Sequence, residues 1–161
     1  MRERRLRTEP VPLFRSSGQP GFSAVVAADP EHVVARKLER EVSVRFTPVH
    51  CLIQTPEGTV HAKPGDAILT GMADEQWRVS LERFPHKYRP IPPTVAGEPG
   101  RYMSMRNQVL ALRMHGGFEV QLADGESHLS GHTGDWLVDY GDGSLGVVTA
   151  AIFSQTYEIL A

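Results

Sequence analysis

The stretch Pro64-Gly65-Asp66-Ala67-Ile68-Leu69-Thr70-Gly71, set against Thr133-Gly134-Asp135-Trp136-Leu137-Val138, decides the fold. Glycine admits the backbone angles of a tight turn, and an aspartate after it can accept hydrogen bonds from nearby amides. A short apolar run follows each turn, as a strand requires. A shift of 69 positions lays Gly65 on Gly134 and, without a gap, Asp66 on Asp135, Val79 on Val148, Phe84 on Phe153 and Tyr88 on Tyr157. Five identities in 24 positions gain weight because they fall at turn, strand and cap positions. Ile68 with Leu137, Leu69 with Val138 and Ser80 with Thr149 add similar pairs.

These pairings read as two copies of one unit: a hairpin, a Gly-Asp turn, a second hairpin, a capped helical turn and a closing strand. Ser80 and Thr149 stand where an N-cap begins the turn that ends at the phenylalanine. Pro85 forbids a long helix in the first copy, which places the tyrosine on an extended segment. One copy is too small to bury a core alone, so the two are expected to pack about a local two-fold.

Outward from the motif the chain alternates with a period of two. Val42, Val44 and Phe46 share a face, as do Val49, Cys51 and Ile53, then Val60 and Ala62. Phe22–Ala28 reads as a short strand. Asp29-Pro30-Glu31 reads as a helix start, predicting a helix near residues 30–39 with Val33, Val34 and Leu38 buried. Asp124-Gly125 and Gly141-Asp142-Gly143 mark hairpins. The expected fold is mainly β, or α+β, with two hairpin-rich halves in one compact domain over residues 22–161. Its first copy spans about 42–92 and its second about 101–161. The proline- and glycine-rich segment 89–100 reads as a linker, and residues 1–21 as an extended basic arm.

The two Gly-Asp stretches, with Phe84 and Tyr88 after one and Phe153, Tyr157 and Glu158 after the other, resemble the signature of the PGDYG proteins. Ala67 and Trp136 stand at that motif's tyrosine position, and Thr133 replaces the proline in the second copy. The resemblance covers residues of about 60–90 and 128–160. It implies a bacterial or phage origin, and neither a substrate nor a catalytic residue.

At 161 residues the chain makes one domain, and a net charge of −2 gives no domain-wide nucleic-acid footprint. Arg2, Arg4, Arg5 and Arg7 form the one basic cluster able to hold phosphates. No apolar run reaches the ~20 residues of a membrane span. A single cysteine, Cys51, and no export signal imply a cytoplasmic setting.

The candidate sites each compete with a structural role. Asp66 and Asp135 could share a proton as an acid–base pair, yet an aspartate in a Gly-Asp turn already has structural work. His61, His128 and His132 fall on one strand parity and could gather round a metal, although in an extended strand His128 and His132 lie roughly 13 Å apart. Cys51 faces the core side, away from His50. Trp77 and Trp136 are candidate ligand contacts. No phosphate loop, nucleophile elbow, paired-cysteine or His-Glu-x-x-His motif is present, so no cofactor or metal is expected. The leading expectation is a non-catalytic binding module. Its groove between the copies would take a small ligand, a peptide or a partner protein, a second copy of the chain included. The rival is a small hydrolase or lyase built on Asp66 and Asp135 or on a histidine-held metal, and a third reading is nucleic-acid contact through the arginine arm. Functional differences are sought where the copies diverge: His61 against Ser130, Ala67 against Trp136, Arg89 against Glu158.

Overall fold

The computed structural model describes residues 11–160. In chain order its elements are β1 (Leu13–Arg15), α1 (Ala24–Ala27), β2 (Val33–Lys37), β3 (Glu41–Phe46), β4 (Cys51–Thr55), β5 (Gly58–Ala62), β6 (Ala67–Thr70) and β7 (Gln76–Val79). A 3₁₀ turn (Phe84–His86) leads to β8 (Tyr88–Pro90), β9 (Gly100–Ser104), β10 (Gln108–Arg113), β11 (Phe118–Gln121) and β12 (His128–Gly131). The chain closes with β13 (Trp136–Asp139), β14 (Leu145–Val148), α2 (Ala150–Thr156) and β15 (Tyr157–Ile159). The fold is mainly β, as the alternation implied. No helix among the described residues is long and apolar enough to cross a membrane.

Two five-stranded sheets carry the architecture. The first runs β7-β6-β3-β9-β8 and the second β14-β13-β10-β2-β15. Their orders correspond position by position: β6 and β7 precede β13 and β14 by 69 residues, and β3 precedes β10 by 67. One place in each sheet breaks chain order. Residues 100–104 complete the first sheet, beside β3, while residues 33–37 complete the second, beside β10. The hairpin β4-β5 and the three-stranded β12-β11-β1 lie between them and touch through Ser130 N–H to Glu57 O, at 2.8 Å.

The Gly-Asp turns are nearly superimposable in their bonding. Gly65 and Gly134 both take φ of +92°, which explains the glycine. Gly65 N–H donates to Thr47 O at 2.7 Å, and Gly134 N–H to Met114 O at 2.8 Å. Behind the turns, Phe84 stacks on Tyr88 at 5.4 Å and Phe153 on Tyr157 at 4.9 Å. Thr149 caps α2 through its hydroxyl, whereas Ser80 Oγ caps nothing and only the Ser80 carbonyl receives Phe84 N–H. Pro85 does hold the first helical turn to three residues, against seven in α2.

Four expectations are corrected. Residues 33–37, read within a helix, form a strand paired on both sides, to β10 and to β15. Asp29 Oδ1 accepts Glu31 N–H at 2.8 Å, making a turn instead of a helix cap, and β-branched Val33 and Val34 favour the extended form. Residues 24–27, read within a strand, form α1, because Ser23 Oγ accepts Val25 N–H. The segment after residue 10 is no free arm: β1 pairs in parallel with β11, and Gly18 and Gly21 donate to Gly143 and Gly141. The arginines at 2, 4, 5 and 7 lie outside the described residues. The segment 89–100 is the β8–β9 hairpin connection within one sheet, held where Tyr102 Oη donates to Glu98 O at 2.7 Å.

The largest core cluster joins both sheets and both hairpins, with Ile68, Phe118, Val120 and Leu137 nearly inaccessible. Two aromatic clusters lie on the sheets' other sides. In the first, Phe46 packs edge-on against Phe84 at 5.4 Å, opposite small Ala67. In the second, Trp136 stacks on Phe153 at 4.1 Å, opposite Arg113. The large ring thus stands on β3 in the first sheet and on β13 in the second, and the Ala67–Trp136 difference goes with packing. Trp136→Ala should cost about 2–4 kcal/mol, toward the lower range for aromatic deletion because Trp136 is half-buried. Adding Arg113→Phe should recover at least half of that in urea unfolding.

Candidate functional site

The aspartates of the turns are occupied by their own backbone. Asp66 accepts Lys63 N–H at 2.9 Å and Leu81 N–H at 3.3 Å. Asp135 accepts His132 N–H at 2.9 Å and Ala150 N–H at 3.1 Å, the same two places 69 residues on. Asp66 is buried and also meets Arg78 Nη1 at 3.3 Å; Asp135 meets no arginine among the described residues. Neither lines the cavity described below. The histidines do not gather. His61 Nε2 lies 3.8 Å from Glu126, exposed His132 lies 3.6 Å from its neighbour Asp135, and His128 points outward from the edge of β12. Among the described residues no group of three or more potential ligands could hold a metal. Cys51 packs toward the core with Thr47 Oγ1 3.6 Å from its sulfur. Arg89 and Glu158, opposite in sign, each form a surface ion pair, with Glu39 and Arg36.

What the fold does build is a cavity of about 230 Å³ where edge strands β7 and β14 meet across the hairpins. That is small beside the ~300–1,000 Å³ of drug-sized sites. Its two walls come from corresponding segments with opposite chemistry. Glu75, Arg78, Arg83 and Lys87 line one wall; 69 positions later Ser144, Val147, Ile152 and Thr156 line the other. Lys37 and Ser104, 67 apart, and Tyr88 and Tyr157 also reach it. Of the two tryptophans, Trp77 lines the cavity and Trp136 does not. A recess of about 50 Å³ shares Lys37, Glu75 and Trp77 and runs toward exposed Met72.

The charges here are partly paired. Arg83 and Lys87 share Asp142 at 3.4 and 3.3 Å, and Arg78 holds Asp66. Lys87 Nζ sits 4.0 Å from the Tyr140 ring centre and Lys37 Nζ 5.1 Å from that of Tyr157, both in cation–π range. Burial lowers Lys37 to about 8, with Lys87 adding repulsion. Burial lowers Lys87 too, opposed by Asp142. Burial pushes Glu57 up to about 7 and Tyr88 up to about 12, and raises Tyr140 and Tyr157 further. Lys37, Glu57, Lys87 and Tyr140 carry no site signature in the sequence, because they fall outside the identities that the Gly-Asp stretches share. A different signal was present: between residues 75 and 87, five charged residues (Glu75, Arg78, Glu82, Arg83 and Lys87) align with uncharged ones.

A mainly β domain of two like-ordered sheets with a polar–apolar cavity between them is thus the class of molecule. Residues 58–158, more than half of the chain, match the PGDYG protein family, and the chain belongs to it. Neither curated proteins nor solved structures yield a match. The matched span includes both Gly-Asp turns and both cavity walls but not β2 or β3.

Three substitutions probe this description. Asp66→Ala should cost about 2–4 kcal/mol, because it strands the largely buried Arg78 guanidinium, and Asp135→Ala only about 1–3 kcal/mol from its lost amide bonds. Chemical denaturation measures both. Glu57 has its folded-state value raised above that of the unfolded chain, so its ionisation weakens the fold as pH climbs from 4.5 to 7. Glu57→Gln should therefore stabilise by about 2 kcal/mol at pH 8, at ~1.4 kcal/mol per pH unit reduced for partial exposure. The gain should vanish near pH 4.5.

Proposed function

We propose that this PGDYG protein is a small-molecule-binding module whose site is the cavity between the two sheets. The observation that carries the reading is the pairing of a charged wall with an uncharged, largely apolar one across a half-open cavity. A space needed only for packing gains nothing from holding four basic residues beside the core. In this reading the chain is a duplicated unit whose two versions pack about a local two-fold, one specialised for charge and the other for apolar contact. The matching strand orders support it, and so does the shared bonding of the two Gly-Asp turns.

A second reading adds chemistry to binding. Lys37 and Glu57 both line the cavity and both change protonation near neutrality, the property that acid–base catalysts need. Asp66 and Asp135 support it less well, since backbone amides already occupy their carboxylates. Turnover of a bound compound, followed by mass spectrometry and abolished by Glu57→Gln with binding kept, would favour this reading over simple binding.

The binding reading is tested with a metabolite library, using thermal shift and tryptophan emission. A true ligand should alter the emission of Trp136→Phe, which keeps the cavity tryptophan, and leave that of Trp77→Phe unchanged. Ile152→Trp, which fills the cavity from its half-exposed rim, should weaken it at least tenfold. A library with no compound behaving this way removes the proposal.

A further inference from the structure

Two polar atoms on the charged wall lack any hydrogen-bond partner among the described residues: Arg78 Nε and Ser80 Oγ, both fully buried. They lie two residues apart on extended chain, and so on the same side of it, and both residues line the cavity. Arg78 keeps its hold on Asp66 through Nη1 alone, which leaves the Nε–H side of the guanidinium for another acceptor. Buried donors left unmade cost about 1–3 kcal/mol each, a cost that one acceptor group between them would relieve.

The surrounding charge says what that acceptor is. Lys37, Arg78, Arg83 and Lys87 face three carboxylates, Asp66, Asp142 and Glu75, while Glu57 is about half protonated at neutral pH. With Glu57 half-ionised, the excess is less than one full positive charge, and it lies at Lys37, which forms no ion pair among the described residues. A singly charged anion comes closest to balancing it. A phosphate monoester brings about −1.5 to −2 charges and would leave an uncompensated anion in a half-apolar space. Across the cavity, Leu145, Val147 and Ile152 offer only hydrocarbon.

We propose that the ligand is a small monocarboxylic acid. Its carboxylate accepts from Arg78 Nε–H and Ser80 Oγ–H, and its hydrocarbon body lies on the β14 wall. This rests on the binding reading above and adds the class of compound and the place of its head group.

The test is isothermal titration with benzoate and straight-chain acids of four to eight carbons, against benzamide, benzyl alcohol and phenyl phosphate. The acids should bind at least tenfold more tightly than the neutral compounds and than phenyl phosphate, as a charge-assisted hydrogen bond requires. Ser80→Ala should weaken them at least fivefold while leaving unfolding stability unchanged or higher, since that hydroxyl makes no bond within the protein; a structural role would lower stability instead. Arg78→Lys keeps the charge beside Asp66 but loses the fork, and should weaken them similarly. Equal or tighter binding of benzamide or phenyl phosphate, blocked by Ile152→Trp, would overturn the carboxylate assignment and leave the cavity reading standing. Undiminished acid binding by folded Ser80→Ala would overturn the placement. Silence from every probe would overturn the carboxylate assignment, and the cavity reading would then stand or fall with the library screen.

Discussion

A carboxylate gripping two amides across a hairpin is the constraint on which the rest of this molecule hangs. Asp66 reaches forward to Leu81 N–H and back to Lys63 N–H, so the entry to β6 and the exit from β7 are tied at one point. Asp135 does the same for β13 and β14. The tie fixes where the helical turn starts, and the turn aims a phenylalanine and a tyrosine four residues on. Their stacked rings close the outer side of each sheet, and the tyrosine begins the edge strand. Remove the tie and the edge strand, the ring stack and the cavity wall lose their common anchor.

From that shared frame the two sheets diverge in chemistry chiefly along one strip. On the outer faces one difference is offset, since the ring supplied by Phe46 is matched by Trp136, while Tyr102 packed on Phe84 has only Ala35 as its counterpart beside Phe153. On the inner strip the differences are not offset. Arg78 meets Val147 and Arg83 meets Ile152 at equal positions, and the result is a polarised space. A low-dielectric wall facing a charged one strengthens every electrostatic contact made between them. Lys37 and Glu57 register that setting, each pushed toward its neutral form by burial.

Much of this was legible in the residues. Gly65, Asp66, Phe84 and Tyr88 pointed to turn, tie and stack, and their counterparts repeated the message. Alternation placed Val42, Val44, Val60 and Ala62 inside, where they are. Residues 33–37 misled because Val33, Val34 and Leu38 fit a helical stripe, and the strands that claim them lie some 70 and 120 positions away; no local pattern reports such partners. Ser23 and the alanines of α1 carried a helix signal that the valines obscured. The cavity was invisible for another reason. Charged residues on an apolar-looking edge strand read as solvated surface until the opposing edge is known to face them.

The placing of β2 and β9 sets a timetable. Val34 leaves the ribosome 76 residues before its partner Leu110, a wait of roughly 4–15 seconds at ~5–20 residues per second. The first sheet likewise stays two strands short until residues 100–104 appear between β3 and β8. Long-range pairing of this kind folds slowly and leaves strand edges unsheltered meanwhile. Because the cavity draws on residues from Lys37 to Tyr157, its walls come together only once those 121 residues are all made, and a chain cut short of α2 lacks part of the lining.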